Sequence, residues 1–391
     1  MQRLAVDLVS DASLRMQMLD RASLLQFAGR HIGSNEFGAT DFYPALDALL
    51  SAINSDTRLT HAGLQRTAAS LVLDLQRRAI LYRFHGNHPH ITSIEISKPT
   101  IIAGFPRTGT TLLHRLLASH PAHRAIRLWE LRVLVMPRNA LPNWQQSAID
   151  ETQRIVERMA AAFPALADMH PVAALEPDEC NRLMRNSFAT MFHGLSFYVP
   201  GYVNWLLQHS MQHEHAYHRL QLQAILSQRP GKHLILKDPC HSWHLDAIAG
   251  EYSDATFIFV NRDSTDNALS LCRLCRALWS ANGVEESAEK IGPYVLNLMK
   301  AAAQRMQVFR ESYPDERIIE VDYREFVRSP IDGLERICRR LGRPLNDAAI
   351  QNAHRVTART HARRIRPEDS LATYGLAEDD VRSALVRDTS S

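Results

Sequence analysis

A strand, a glycine loop and a helix follow one another within residues 100–119, and this succession constrains the fold more than any other part of the chain. The run 101–103 is apolar throughout, as a buried parallel strand requires. Gly104 and Gly109 bound a turn, after which the leucines of 112–117 recur at helical spacing. Such a unit directs backbone N–H groups and a helix N-terminus at an anion, so the stretch predicts a phosphate-binding loop. A purely structural turn is the alternative.

The two glycines have the spacing of nucleoside-triphosphate-binding loops, but the lysine of those loops is missing. Gly104 and Gly109 are separated by four residues, and Thr110-Thr111 follow where G-x-x-x-x-G-K-[ST] has lysine and a hydroxyl residue. Thr110 cannot contact the β- and γ-phosphates as that lysine does, whereas Arg107 supplies a fixed positive charge inside the loop. The pattern therefore predicts a loop for a 5′-phosphate that does not carry a metal-bound γ-phosphate.

The loop sequence Phe-Pro-Arg-Thr-Gly-Thr-Thr-Leu, residues 105–112, resembles the 5′-phosphosulfate loop of sulfotransferases, usually written Pro-Arg/Lys-Ser-Gly-Thr-Thr. Thr108 stands where that family usually has serine, which keeps the hydroxyl. The chain is most similar to the branch that includes the tyrosylprotein sulfotransferases and many bacterial small-molecule sulfotransferases. The resemblance implies 3′-phosphoadenosine 5′-phosphosulfate (PAPS) as co-substrate, no metal, and five loop residues that bind it: Arg107, Thr108, Gly109, Thr110 and Thr111.

Residues 257–263 form a second motif when they are taken together with Ser270. The sequence Phe-Ile-Phe-Val-Asn-Arg-Asp, with a serine eight residues after the arginine, resembles the 3′-phosphate site of the same family. A hydroxyl at that spacing on the following helix returns toward the end of the strand. The resemblance implies that Arg262 and Ser270 bind the 3′-phosphate, and a surface ion pair of Arg262 with Asp263 or Asp266 is the alternative.

Sulfuryl transfer needs aligned reactants, positive charge near the leaving oxygen and a base for the acceptor's proton. Lys237 ends an apolar strand in Leu-Lys-Asp-Pro, which resembles the Asn-Lys-Asp-Pro of the tyrosylprotein branch, with Leu236 in place of the asparagine. The resemblance implies that Lys237 supports the leaving group and that Arg107 shares in catalysis. A surface pair of Lys237 with Asp238 is the alternative.

The base is predicted to be Glu130, which lies in Leu-Trp-Glu-Leu-Arg about ten residues after the loop helix. The family places a catalytic glutamate in a similar Glu-x-Arg context. A structural carboxylate, bonded to Arg132 or to a helix N-terminus, is the alternative. Histidine suits proton abstraction near neutral pH, so three histidines in loops are further base candidates. These are His170, His241 and His244, and Glu176 and Glu179 are candidates for the acceptor pocket.

Two clusters of metal-binding residue types are interpreted as structural. The histidines at 209, 213, 215 and 218 lack a recognised zinc spacing, and we expect them on a solvated helix face. Cys272 and Cys275 form a C-x-x-C without a second pair, so we expect them to pack a helix. No metal site is predicted.

Composition indicates a globular protein without a nucleic-acid partner. The chain has 391 residues, 45% of them hydrophobic and 22% charged, and a net charge of +3. No apolar run approaches the roughly 18 residues of a membrane span. Asp7 and Asp11 interrupt the place where a signal peptide would be apolar. Five cysteines, an odd number in a long chain, favour reduced thiols in the cytoplasm.

Strands that alternate with helices after residue 96 predict an α/β fold with a parallel, P-loop-like sheet flanked by helices. Residues 1–95 are expected to form a helical N-terminal cap or interface segment, with helices near 11–30, 41–54 and 60–84, which leaves a homodimer open. Residues 96–345 form the expected sulfotransferase core, with a helical insertion at about 121–230. Residues 346–391 form a tail that is basic around 361–366.

The sequence as a whole predicts a cytoplasmic, PAPS-dependent sulfotransferase whose partner is a small-molecule hydroxyl acceptor. Aromatic residues in the insertion favour an apolar alcohol, phenol or lipid, although core packing explains them equally well. These residues are Trp129, Trp144, Phe188, Phe192, Phe197, Tyr198, Tyr202 and Trp205. The rival interpretations are a P-loop kinase or nucleotidase, for which a lysine at 110 is missing, and a non-catalytic nucleotide-binding protein.

Overall fold

A computed structural model describes residues 18–137, 140–359 and 369–385, and its centre is a parallel sheet. The five strands lie in the order β2-β3-β1-β4-β5, and every pairing is parallel. In chain order the strands are β1 (Thr100–Ala103), β2 (Arg124–Ala125), β3 (Leu234–Lys237), β4 (Thr256–Asn261) and β5 (Ile318–Asp322). The α/β fold expected from the alternating pattern is confirmed.

The register brings the carboxyl ends of the three inner strands to one edge. Ile102 of β1 is paired with Lys237 of β3 on one side and with Ile258 of β4 on the other. All four residues of β1 are buried, because helices cover both faces of the sheet. The segments that follow β1, β3 and β4 therefore leave the sheet side by side, where open α/β sheets bind their ligands.

Within the described residues, helices make up most of what remains. Three precede the sheet: α1 (Arg21–Ile32), α2 (Tyr43–Asp56) and α3 (His61–Asn87). Eight lie between β1 and β3: α4 (Thr110–Ala118), α5 (Leu128–Arg132), α6 (Trp144–Ala162), α7 (Pro164–Met169), α8 (Asn181–Met184), α9 (Met191–Ser196), α10 (Pro200–Gln208) and α11 (Gln212–Gln228). Seven follow: α12 (Leu245–Glu251), α13 (Ser264–Asn282), α14 (Ala288–Ser312), α15 (Tyr323–Arg328), α16 (Pro330–Arg340), α17 (Asp347–Arg359) and α18 (Glu378–Leu385).

The N-terminal helices are joined to the core at the start of α3. Thr60 N–H donates to the Gly283 carbonyl at 2.8 Å, just beyond the end of α13. A Cβ on Gly63 would lie 2.3 Å from the Asn282 carbonyl oxygen, so any larger residue would separate the two helices. Buried residues of the N-terminal helices and of the later helices belong to one hydrophobic cluster. The N-terminal segment thus shares its core with the rest of the chain.

The structure agrees with the predicted strands and most helices, and it adds one strand. β2 has only two residues, too few for a periodic pattern, so the predicted helical insertion 121–230 did not include it. Cys272 and Cys275 are both buried in α13, which confirms them as helix-packing residues. In the described ranges no helix has the length and apolarity needed to cross a bilayer. The basic tail segment 361–366 lies outside the described residues.

Candidate active site

The predicted phosphate loop, residues 104–111, links β1 to α4 and includes the first two residues of α4. Three of its residues have a left-handed backbone. Gly104, Arg107 and Gly109 have φ values of 112°, 73° and 93°. Glycine adopts such angles readily, whereas Arg107 is a non-glycine residue held in a sparsely populated conformation. Backbone strain of this kind persists where the surroundings fix it, and it concentrates at ligand sites. Thr108 Oγ1 closes the turn by donating to the Phe105 carbonyl at 2.9 Å.

Both loop glycines also allow close approach of neighbouring elements. Gly104 N–H donates to Ser242 Oγ, and the Ser242 hydroxyl donates to the Gly104 carbonyl, both at 2.8 Å. A Cβ on Gly109 would lie 2.6 Å from the ring of Tyr323. The loop is therefore held from one side by the segment after β3 and from the other by the helix after β5.

The two predicted motifs meet at Arg107. Its Nε donates to Ser270 Oγ at 3.2 Å, and its Nη1 donates to the Met169 carbonyl at 2.8 Å. Arg262 Nη1 donates to the Arg107 carbonyl at 3.0 Å. The structure thus brings together Arg107, Arg262 and Ser270, because β1 and β4 are neighbours and end at the same edge. Their contacts with a nucleotide stay predictions.

Arg262 is only partly satisfied by its neighbours. Its guanidinium lies over the Tyr323 ring, 4.9 Å from the centroid, and its Nη2 is 3.9 Å from Asp266. Its Nε is buried and has no hydrogen-bond partner among the residues described. A buried donor without an acceptor is unfavourable, and a phosphate oxygen would satisfy it. The residues at this edge therefore fit the 3′-phosphate that the sequence led us to expect.

Lys237 ends β3 and reaches the N-terminal turn of α4. Its Nζ lies 3.3 Å from Thr111 Oγ1 and forms an ion pair with Glu179. The residue is only 2% exposed, so the alternative of a surface pair with Asp238 does not hold. The Lys237 carbonyl accepts from Cys180 N–H at 2.9 Å, which ties the chain after Glu179 to β3. A buried ammonium beside the loop is suited to stabilising a leaving phosphate.

Two consecutive carboxylates lie beside Lys237 and a histidine. Glu179 pairs with Lys237, and Asp178 lies near His170. Burial raises the pKa of Glu179, but Lys237 and His170 outweigh it and the pKa lies below its usual value. Burial likewise raises the pKa of Asp178, whereas the Arg182 guanidinium and His170 lower it well below its usual range. His170 Nε2 is 3.9 Å from Asp178 Oδ1. The site thus holds two ionised carboxylates, one beside Lys237 and one beside an imidazole.

Glu130, the predicted base, lies in a buried cluster of positive groups. Arg124 Nη1 donates to it at 3.0 Å, Arg229 Nε at 2.8 Å and the backbone N–H of Arg127 at 2.9 Å. Burial raises the pKa of Glu130, but hydrogen bonds and charge from Arg124 more than reverse this effect. A carboxylate with three donors is a weak proton acceptor. These contacts match the structural alternative at a helix N-terminus, and the catalytic role of Glu130 stays a prediction.

The three candidate histidines and Glu176, a candidate for the acceptor pocket, lie in contrasting surroundings. His241 and His244 are 3% and 4% exposed, and burial lowers the pKa of both well below the usual value. Glu176 forms an ion pair with Arg115 at 3.3 Å. His170 is half-buried, and it directly follows the residue whose carbonyl binds the loop arginine. Of the three histidines, His170 alone is both next to the loop and open to solvent.

The expected solvated histidine face at 209–218 is wrong for two of the four histidines, His215 and His218. His209 lies beyond the end of α10 and does not share a helix with the others. His215 and His218 of α11 are 1% and 0% exposed, because this helix packs against α12. His218 Nδ1 is 3.0 Å from the Tyr252 hydroxyl, and burial lowers the pKa of His218 to about 3. His215 and His218 therefore belong to the core, whereas His213 is exposed and His209 is half-buried.

One group of buried side chains could hold a metal ion. Ligand atoms of Cys180, His218 and His241 lie within 4.8 Å of one another, and no other such group occurs in the part of the chain that the structure describes. Nε2 of each of these histidines lacks a hydrogen-bond partner among described residues. Thiolate and imidazole are zinc ligands, but a structural zinc site has four of them and this group offers three.

Sequence reasoning did not find the pairing of Lys237 with Glu179 or the position of Asp178 beside His170. Glu179 was named only as a candidate for the acceptor pocket. The signal was the acidic run 176–179, Glu-Pro-Asp-Glu, but 58 residues separate Glu179 from Lys237 and no local pattern joins them. Only the tertiary structure brings the carboxylate to the lysine.

Comparisons with known proteins agree with this geometry. Residues 99–347 match the model of the "Sulfotransferase family". The fold matches sulfotransferase STF1 from Mycobacterium tuberculosis H37Rv with a TM-score of 0.84 and 26% identity, over 95% of this chain and 100% of that chain. It matches sulfotransferase STF9 from Mycobacterium avium with a TM-score of 0.79 and 23% identity, over 95% of each. Among curated proteins none matched.

The family match includes the phosphate loop, Lys237, Arg262 and Ser270, and it covers more than half of the chain. The match to STF1 extends the agreement to the N-terminal helices, which lie outside the family model. Loop, strand order and helical surroundings lead to the same conclusion. This chain belongs to the sulfotransferase family.

Proposed function

We propose that this chain transfers the sulfuryl group of PAPS to a hydroxyl of a small-molecule acceptor, with cationic side chains in the role that Mg²⁺ has in kinases. The observation that carries the proposal is the convergence of three strand ends at one loop. Lys237 contacts Thr111 there, and Arg262 contacts Arg107. A cation for the leaving group and donors for a 3′-phosphate are thus neighbours of one anion-binding turn.

In this proposal the loop residues 107–111 bind the 5′-phosphosulfate. The backbone N–H groups in the first turn of α4 are available to bind an anion, as they are at helix N-termini in general. Arg107 adds a fixed charge, and the hydroxyls of Thr108, Thr110 and Thr111 add donors. Arg262 and Ser270 bind the 3′-phosphate, which distinguishes PAPS from commoner adenine nucleotides.

The reaction forms a bond from the acceptor oxygen to sulfur while the bond from sulfur to the 5′-phosphate oxygen breaks. Lys237 stabilises the charge that grows on the leaving phosphate. Glu179 holds the ammonium against Thr111 until the donor is bound. The proton of the acceptor hydroxyl passes to a base, and no electrons are exchanged with another reactant.

We propose His170 as that base, in preference to Glu130. Three donors occupy Glu130, whereas His170 is half-buried beside the loop and has Asp178 3.9 Å away. A carboxylate behind an imidazole orients the ring and stabilises the imidazolium that forms. Asp178 is well placed for this role because its pKa is held below the usual range.

The apolar character of the acceptor has little support from the aromatic residues. Phe188 and Tyr202 are 0% exposed and Trp129 is 3% exposed, so these side chains pack in the core. The proposal is therefore limited to a hydroxyl acceptor, and its apolar nature stays a prediction. The cytoplasm is the proposed location, since all five cysteines are free and buried. A homodimer also stays a prediction.

The test is thermal unfolding with 3′-phosphoadenosine 5′-phosphate in EDTA, followed by PAPS transfer to a panel of alcohols, phenols and glycans. We expect stabilisation without metal, and turnover that falls about 10²–10³-fold in Lys237→Ala. Lys232→Ala is the matched control, because Lys232 is exposed and precedes the same strand. Stabilisation by Mg·ATP alone would contradict the proposal and favour a kinase.

A further inference from the structure

A cavity of about 90 Å³ lies between α3, α5 and α8, and four arginines line it. Arg77 comes from α3, Arg132 ends α5, and Arg182 and Arg185 lie in and directly after α8. Ser70 contributes a hydroxyl to the wall. A water needs roughly 10–15 Å³ of such space, so the cavity has room for a group of several heavy atoms.

Carboxylates neutralise only part of this positive charge. Asp74 accepts from Arg77 at 2.6 Å and from Arg185 at 2.9 Å. Asp178 accepts from Arg182 at 3.1 Å. Two carboxylates thus contact three of the four guanidiniums, and the cavity keeps a surplus of positive charge.

Arg132 is the fourth guanidinium, and the structure gives it neither a hydrogen bond nor an ion pair within the described ranges. Burial and the positive charges of Arg77, Arg182 and Arg185 lower the pKa of Arg132 to about 9. The negative charge of Glu151 has the opposite, weaker effect and raises the pKa of Arg132. A cation whose pKa is lowered by its neighbours is repelled by them, and an anion in the cavity would relieve that repulsion.

A second, independent sign of a missing acceptor comes from Arg185. Its Nε is buried and has no hydrogen-bond partner among the residues described. Its Nη2 is already used, since it donates to Ser70 Oγ and to Asp74. Buried polar atoms are normally paired, so an unpaired donor next to a cavity indicates a ligand that accepts hydrogen bonds.

We propose that the arginine cavity, lined by Arg77, Arg132, Arg182 and Arg185, binds an anionic group of the acceptor: a carboxylate, a sulfate or a phosphate. The proposal rests on the proposed function, which supplies the hydroxyl end of the same molecule. It narrows the substrate class to hydroxyl compounds that carry a negative charge.

The cavity adjoins the donor site through one short stretch of chain. Arg182 N–H donates to the Glu179 carbonyl at 3.2 Å, so these residues lie one helical turn apart. Glu179 contacts Lys237 at the loop, while Arg182 lines the cavity. Asp178 is shared, because it contacts Arg182 and faces His170. The cavity and the donor site are thus within one helical turn of each other along the chain, and the proposal requires an acceptor with a short spacer between its anion and its hydroxyl.

The first test measures inorganic phosphate binding by calorimetry with saturating 3′-phosphoadenosine 5′-phosphate, in the wild type, Arg132→Met and Arg83→Met. Arg83 is an exposed arginine of α3 and serves as the matched control. Because Arg132→Met removes one charge-assisted contact, we expect its affinity for phosphate to fall about 10- to 100-fold. Arg83→Met should bind phosphate as the wild type does. Arg132→Lys should fall between the two.

Because Arg132 has no partner to lose, Arg132→Met should fold as well as the wild type without phosphate. Its response to 3′-phosphoadenosine 5′-phosphate should also be unchanged. If that nucleotide does not bind any of the proteins, the proposed function fails. The cavity is still judged by the difference between wild type and Arg132→Met. Equal phosphate affinity in the two proteins would overturn the proposal of an anion site.

The second test compares hydroxy acids with their methyl esters as acceptors. We expect a KM at least 10-fold lower for the acid than for the ester in the wild type, and loss of that preference in Arg132→Met. Phosphate binding without any preference for acids would overturn the acceptor assignment. The cavity would then be an anion site separate from catalysis.

Discussion

At the edge of the sheet, two carboxylates beside Lys237 and His170 keep their charge, whereas several histidines of the helical layer beside the sheet stay neutral. At the edge, Asp178 and Glu179 are ionised carboxylates next to cations. In the helical layer, histidines such as His193 and His218 are buried and held neutral, with pKa values of about 3. These carboxylates stay ionised because cations lie beside them, whereas burial keeps these histidines neutral.

The two regions also differ in how far their parts are separated along the chain. Arg107 and Thr111 of the loop are four residues apart, and one local motif contains both. The arginine cavity combines Arg77 with Arg132 and Arg185, which span more than a hundred residues. Local motifs identify the loop in the sequence, whereas no local motif marks the cavity, which the packing of distant helices creates.

The largest expected effect is on stability at acid pH, and it tests whether the buried histidines are neutral in the folded protein. Burial lowers the pKa of His114, His193 and His218 to about 3 and of His123 to about 4. Below about pH 6.5 the unfolded chain binds protons that the folded chain excludes, so stability falls as the pH decreases. Each such histidine changes the unfolding equilibrium by up to about 10-fold per pH unit.

Urea unfolding between pH 7.5 and 5 measures this proton uptake. His193→Gln, which removes one buried imidazole, should reduce the uptake by about one proton whatever its effect on absolute stability. If His193→Gln takes up as many protons on unfolding as the wild type, His193 is not neutral in the folded protein, and the contrast between the two regions would fail.

The next effect concerns the sheet edge and separates His170 from Glu130. A general base contributes about 10²–10⁴-fold, so His170→Asn should lower kcat by that amount and leave the binding of 3′-phosphoadenosine 5′-phosphate intact. Glu130→Gln should instead destabilise the fold by about 3 kcal/mol, because Arg124 and Arg229 lose a buried counter-ion. Steady-state kinetics and urea unfolding of both variants decide between them. The opposite pattern would return the base role to Glu130.

The smallest effect concerns donor selectivity. Arg262→Ala should weaken PAPS binding by about 10- to 100-fold, since a charge-assisted hydrogen bond contributes roughly 1.5–3 kcal/mol. Binding of adenosine 5′-phosphosulfate, which lacks the 3′-phosphate, should hardly change. Ser270→Ala should act in the same direction but less strongly, because its hydroxyl is neutral. Calorimetry gives the ratio of the two affinities, and an unchanged ratio would make Arg262 a structural residue.

Much of the fold could be predicted from the sequence, because its signals are local. The apolar run before Gly104 and the leucines after it predicted a strand and a helix that the structure contains. β4 was equally clear. β2 was not, since its two residues belong to the sheet only through pairing with β3.

The candidate site was predictable to the same degree. Arg107, Arg262 and Ser270 lie in local motifs, and the structure brings them into contact. Glu179 and Asp178 carried no such signal, because their partners are distant in sequence. His215 and His218 of α11 were misplaced on a solvated face, since the neighbours that bury a helix do not appear in its own sequence.

The start of the family match at residue 99 has a consequence for divergence within the family. Ser70 and Arg77, which line the arginine cavity, precede that boundary, whereas the phosphate loop follows it. Substitutions in α3 would therefore reshape the cavity without altering the loop. Under the proposed acceptor role of the cavity, substitutions in α3 would change the preferred acceptor while the loop for the donor stays the same, so related enzymes could share a donor and differ in what they sulfate.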